Sequence, residues 1–170
     1  MKKSATNRVV RVSRRRRAAG VVAALSAFPW GVTPARAQTW LYSGTDYGIG
    51  TNWSTGVTPG AGQTATFGAS GANQPIVGGN FTIGTVDMTA GSLTINATQT
   101  LTVQSAFNLT NASVLGGGTL LLGAGSLLTA AGTSAVAIAP VISGTGATLI
   151  TGSDVTFTGV NTYSGTTTVN

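Results

Sequence analysis

The sequence predicts an all-β chain built as a solenoid of stacked coils, and three observations carry that expectation. Short stretches alternate an apolar residue with Thr, Asn or Gln: FTI from Phe81, LTIN from Leu93, LTVQ from Leu101, FNLT from Phe107 and VTFT from Val155. A period of two puts the apolar set on one face of a strand and the hydroxyls and amides on the other. Gly-rich breaks (TAGS, LGGGT, GAGS, SGTGA) separate these stretches, and no segment after residue 38 keeps a capped helical period. Charge is almost absent: from Gln38 to Asn170 there is no Lys, Arg, Glu or His, and only Asp46, Asp87 and Asp154 are ionisable acids. In stacked coils equivalent side chains ladder along the outside, where like charges would repel, so neutrality fits that arrangement.

The chain opens differently. All nine basic residues, Lys2, Lys3, Arg8, Arg11, Arg14 to Arg17 and Arg36, precede Gln38, so the formal charge of +6 belongs to the N-terminal segment. Residues 1–37 read as a secretory signal peptide: a basic region, the apolar run from Ala18 to Val32, then PARAQ. Ala35 and Ala37 supply the small residues of an A-x-A cleavage site, with the cut before Gln38. The run is shorter than the roughly 20 residues of a spanning helix, and Pro29 interrupts it. SRRRR resembles a twin-arginine signal without its other expected residues, so both export routes stay open. The rest of the chain is weakly acidic, which removes the argument for a nucleic-acid partner. An exported chain with no cysteine must fold without disulfides.

Residues 38–80 are expected to cap the solenoid and 81–170 to form its coils. Trp40, Tyr42, Tyr47 and Trp53 cluster near the mature N-terminus, where bulky rings would cover an open end or stack on a sugar. Setting Val114 against Val141 aligns VLGGGTLLLGAGSLLT with VISGTGATLITGSDVT, a loose repeat at a shift of 27. An antiparallel β-sandwich would use the same alternation. Against it, no Trp follows Trp53, and neither Asn-Gly nor Asp-Gly occurs to mark a two-residue hairpin.

Chemistry is missing by inventory. Nucleophilic catalysis lacks a base, because the mature chain has no His, Lys or Cys. Asp87 with Asp154 is the only carboxylate pair to consider for glycoside hydrolysis, and calcium would want more carboxylates. No catalytic residue, metal site or cofactor is expected. The last stretch, FTGVNTYSGTTTVN, reads as a corner between strands: Gly159 ends one strand, and Asn161 is expected to turn left-handed and bond its own backbone. Thr162 and Ser164 flank Tyr163, whose ring would lie on the core edge; Gly165 frees the chain before Thr167 and Val169 resume a strand.

GVNTYSGTTTVN resembles the passenger-associated β-strand repeat of bacterial autotransporters, with Asn161 to Gly165 matching its turn and Thr167 to Val169 its outgoing strand. TNWSTGVTPGAGQTATFG, from Thr51, is similar to a segment that often opens such passengers. Thr166 stands where the repeat usually has its second glycine. The resemblance implies a right-handed parallel β-helix, truncated at the C-terminus within a repeat at about residues 154–170. It also implies export from a Gram-negative cytoplasm to the periplasm, outer-membrane surface or medium. The implied partners are the export machinery and a C-terminal β-barrel translocator, for which these residues hold no candidate. The expected function is structural presentation without chemistry of its own. An adhesin binding a glycan or host surface is the alternative, ahead of a polysaccharide-degrading β-helix enzyme.

Overall fold

The computed structural model describes residues 36–68, 71–151 and 154–170. They form a parallel β-solenoid of about five turns. The strands are β1 (Ala37–Thr39), β2 (Thr64–Phe67), β3 (Ile76–Val77), β4 (Phe81–Met88), β5 (Gly91–Ile95), β6 (Thr100–Thr110), β7 (Ala112–Leu115), β8 (Thr119–Leu122), β9 (Leu127–Ala131), β10 (Val136–Ile138), β11 (Val141–Gly144), β12 (Ala147–Thr151), β13 (Val155–Phe157) and β14 (Thr167–Val169). Every pairing between them is parallel. That excludes the antiparallel sandwich. In a sandwich the turns reverse the chain between neighbouring strands, whereas here each strand pairs with its equivalent one coil away.

Each coil has three sides. One face stacks β1-β2-β4-β6-β9-β12-β14, and a second stacks β3-β5-β7-β10-β13. The third is built from the first halves of β4 and β6 with β8 and β11: Phe81↔Leu101, Leu101↔Leu120 and Leu120↔Ile142. Because β4 and β6 run round the corner from third face to first, the two faces share one continuous sheet; the register slips between Ile83 and Thr85. Residues 38–80 supply both the cap and the first rungs, β1 to β3.

The period-two alternation becomes columns of inward side chains. On the first face one column runs Ala65, Val86, Phe107, Leu128, Thr148 and Thr167, and a second runs Phe67, Met88, Leu109, Ala130, Ile150 and Val169. The second face contributes Leu93, Val114, Ile138 and Phe157; the third contributes Leu101, Leu120 and Ile142 beside Val103 and Leu122. Most of these side chains are wholly buried, and burial of this apolar surface drives the stacking. The outward column on the first face is polar over most of its length: Thr39, Thr66, Asp87, Asn108 and Thr129, before Leu149 and Thr168.

The coil step differs from the sequence repeat. The chain advances by 22 residues from Leu120 to Ile142, by 20 from Leu128 to Thr148 and by 24 from Val114 to Ile138. A shift of 27 sets Val114 against Val141, but in the ladder the partner of Val141 is Thr119; a step of 27 occurs instead between β1 and β2, where Ala37 pairs Thr64 across the cap. Corner length absorbs the variation: one residue, Asn111, links β6 to β7, whereas four, Gly123 to Ser126, link β8 to β9.

Thr148 breaks the apolar column, and its buried hydroxyl has no hydrogen-bond partner among the described residues. Replacing it by the near-isosteric Val should therefore raise stability by about 1–2 kcal/mol, while Phe107→Ala, in the same column, should cost about 3–5 kcal/mol. Urea unfolding midpoints of the two variants against the parent check the opposite signs.

Candidate functional site

The two ends of the solenoid hold the residues singled out in the sequence. At the N-terminal end, Trp40, Tyr47 and Trp53 are at most 1% exposed. Edge-to-face contacts link Trp40 to Trp53 at 5.1 Å and Tyr47 to Trp53 at 5.0 Å between centroids. Phe67 and Phe81 close the cluster, 5.5 Å from Trp53 and 4.9 Å from Tyr47. The indole N–H groups are satisfied: Trp40 Nε1 donates to Asn73 O at 3.0 Å and Trp53 Nε1 to Tyr47 O at 2.9 Å. These rings plug the open end of the core. A sugar could not stack on Trp40, Tyr47 or Trp53 without opening it, which removes those three as a glycan platform. Tyr42 is half-buried in a left-handed conformation, φ 57°, with its ring close to Gly71.

The chain also covers its own first edge. Trp40 N donates to Thr66 O on the coil above, so the polar groups of Thr39 point off the end, and there Ser54 meets them. Ser54 N donates to Thr39 O at 2.9 Å, Thr39 N to Ser54 Oγ at 3.0 Å, and Leu41 N to Asn52 O at 2.9 Å. Asn52 is fixed in turn by its Nδ2, which donates to Asp46 O, and by its Oδ1, which accepts from the Ser43 hydroxyl. Of the predicted cleavage residues, Ala35 lies outside the described residues, as does the apolar run before it. Ala37 opens β1, and Gln38 is buried beside it, accepting from Thr55 Oγ1 and donating to Gln63 Oε1.

At the other end the terminal motif is a rung rather than a free turn. Thr162 N donates to Ile142 O and Ser164 N to Gly144 O, at 2.8 and 2.9 Å, so residues 160–164 continue the third face above β11. That register sets Asn161 over Ile142 and Tyr163 over Gly144, both inward, with Tyr163 packed against the core. Asn161 is not left-handed. Its Oδ1 accepts from Ile142 N at 2.9 Å, joining its coil to the one below rather than closing its own turn. The left-handed asparagine is Asn111, φ 54°, whose Oδ1 accepts from Thr133 N and Ser134 N of the next coil. Asn80 Oδ1 and Ser113 Oγ likewise receive N–H groups of the next coil, from Thr100 and Ala137. The sequence signal for these brackets was position: each lies at or next to a corner.

Gly159 and Gly165 answer to a different need from conformational freedom, since neither has a positive φ. A methyl group on Gly159 would collide with the Pro140 carbonyl oxygen, and one on Gly165 with that of Gly146. Both glycines let one corner sit on the next.

The carboxylates do not converge. Asp46 Oδ1 accepts from Gly48 N at 2.8 Å in a local turn, and Asp87 Oδ1 accepts from Asn108 Nδ2 at 2.6 Å on the outer ladder. Asp154 precedes β13, three rungs beyond Asp87, roughly 14 Å along the axis. The pair considered for glycoside hydrolysis is therefore not brought together. Among the described residues no three His, Cys, Asp or Glu side chains gather as a metal site. Comparison with known proteins finds no matching family, no similar characterised protein and no similar solved structure.

Burial pushes the Tyr47 phenol above its ordinary range, and its hydroxyl has no partner among the described residues. The folded chain resists ionising this group, so the stability it carries is intact below the unfolded tyrosine value, about 10, and declines as pH rises beyond it. Tyr47→Phe should remove that alkaline loss and add about 1 kcal/mol at neutral pH, as read from denaturant midpoints at pH 7 and pH 11. At the other end, Gly165→Ala should loosen the last rung by about 1–3 kcal/mol. Amide exchange would then quicken at Asn161 to Val169 and stay unchanged at the N-terminal plug.

Proposed function

We propose that this chain is an exported structural segment, the N-terminal part of an autotransporter-like passenger that carries the polypeptide joined to it rather than acting on a substrate. The observation that supports this best is the difference between the ends: an aromatic plug and the Ser54 cover close the N-terminal end, while the Asn161 to Gly165 motif prolongs the stack at the other. A plug before the first coil and a motif that stacks one coil on the next give the solenoid a direction, since each coil is held on the edge of the one before it. The neutral outer face and scattered carboxylates accord with a structural role. The basic leader with Ala35 and Ala37 accords with export of a Gram-negative surface or secreted protein.

Joining a translocator β-barrel after Asn170 of the full chain, in a Gram-negative host, tests the reading. The product should begin at Gln38 by N-terminal sequencing, and protease added outside intact cells should digest it. Ala37→Asp should block processing and display together. A product that keeps residues 1–37 inside the cell, or one that is processed yet never reaches the surface, would overturn the proposal.

A further inference from the structure

We infer that folding of the N-terminal cap hides the Ala37–Gln38 bond, so that removal of the leader has to come before the first coil forms. The inference deepens the export reading and rests on it, because it takes that bond as the one a signal peptidase cuts. A peptidase that accepts an extended segment needs a free backbone edge on it and small side chains for its pockets. In the structure that segment is already a strand. Ala37, Gln38 and Thr39 of β1 stand opposite Thr64, Ala65 and Thr66 of β2. Trp40 N donates to Thr66 O, and the same alternation two residues earlier directs the Gln38 N–H, which belongs to the bond to be cut, to Thr64 O.

The Gln38 side chain is the lock. It is 2% exposed and sits inward at the head of the column that continues through Ala65, Val86 and Phe107. A buried amide there is tolerated only if both its ends are bonded. Thr55 Oγ1 donates to Gln38 Oε1 at 2.6 Å, and Gln38 Nε2 donates to Gln63 Oε1 at 3.1 Å. Gln63 Oε1 also accepts from Gly60 N at 2.8 Å, which ties the clamp to the turn before β2. On the outer edge Ser54 meets the N–H and C=O of Thr39. To enter a peptidase cleft, residues 37–39 must leave β2, break the Gln38 clamp and shed the Ser54 cover together. Ala37 is exposed, but the bond that follows it is not free. Every group that hides the bond lies later in the chain, from Ser54 to Thr66, so a chain whose cap closes first keeps its leader.

Order of addition tests this with the full chain and a purified bacterial signal peptidase in detergent micelles. With the enzyme present while the chain is diluted out of urea, a product beginning at Gln38 should form. With the enzyme added after refolding, cutting should be at least about tenfold slower, because only the transiently opened strand is a substrate. Gln63→Ala removes the clamp and Trp53→Ala opens the plug, and both leave residues 1–39 as they are. Each should recover most of the lost rate after refolding, and in Gln63→Ala amide exchange at Leu101 to Leu109 should stay as in the parent. Equal cutting in both orders, or two refolded variants as resistant as the parent, would overturn the inference. Cutting in neither order would instead overturn the leader reading on which it rests.

Discussion

The structure depends on one constraint: every strand must find its hydrogen-bond partner in the next coil, one full circuit of the chain away. A single coil leaves both edges of all three faces unpaired and has no opposing layer to bury its inward side chains. Stacking supplies both at once, since the partner of Phe107 in the ladder, Leu128, is also its neighbour in the core. Backbone pairing and apolar packing are therefore not separable here. A substitution that disturbs one column disturbs the ladders on either side of it.

The corners are where that constraint is met at closest range. A coil turns three times in about twenty residues, and each turn interrupts the ladder and strands N–H groups of the next coil. Asn80, Asn111, Ser113 and Asn161 answer by giving a side-chain oxygen to an N–H of an adjacent coil. Gly159 and Gly165 remove the Cβ atoms that would hold two corners apart. The terminal motif thus combines both devices with an inward tyrosine. Its composition follows from coil stacking alone.

What was legible in the sequence was what period two encodes. The inward sets of Leu93, Leu101, Phe107 and Val155 follow from alternation, and the plug follows from the cluster of large rings at Trp40, Tyr42, Tyr47 and Trp53. The route of the chain between strands was not legible, because connections as unlike as one residue, Asn111, and eight, residues 68–75, carry no fixed signature. For that reason the letter match at 27 residues missed the coil steps within residues 81–170, which run from 19, Leu101 to Leu120, to 24, Val114 to Ile138. Asn161 was misread for a related reason. Asparagine serves a left-handed turn and a bracket to the neighbouring coil with the same side chain, and the choice depends on where the adjacent coil lies. The outward leucines Leu121 and Leu149 also escaped, since a run such as TLLL does not say which leucine faces out.

The scarcity of charge is a consequence of the same stacking. Outward columns repeat every coil, so a charged residue kept at one column position would meet its like about 5 Å away. The repulsion is about 1 kcal/mol in water and about 3 kcal/mol where the protein surface lowers the effective dielectric. Over the seven rungs of the first face such a column would cost more than a whole domain's net stability. The three acids avoid this by standing in different coils, and Asp87 is flanked along its column by Thr66 and Asn108, the latter donating to it. Neutrality leaves an outer face of hydroxyls, amides and methyl groups with little chemical contrast along its length. The departures from this uniformity lie in the N-terminal plug of packed rings and at the corners, where side-chain oxygens bracket one coil to the next.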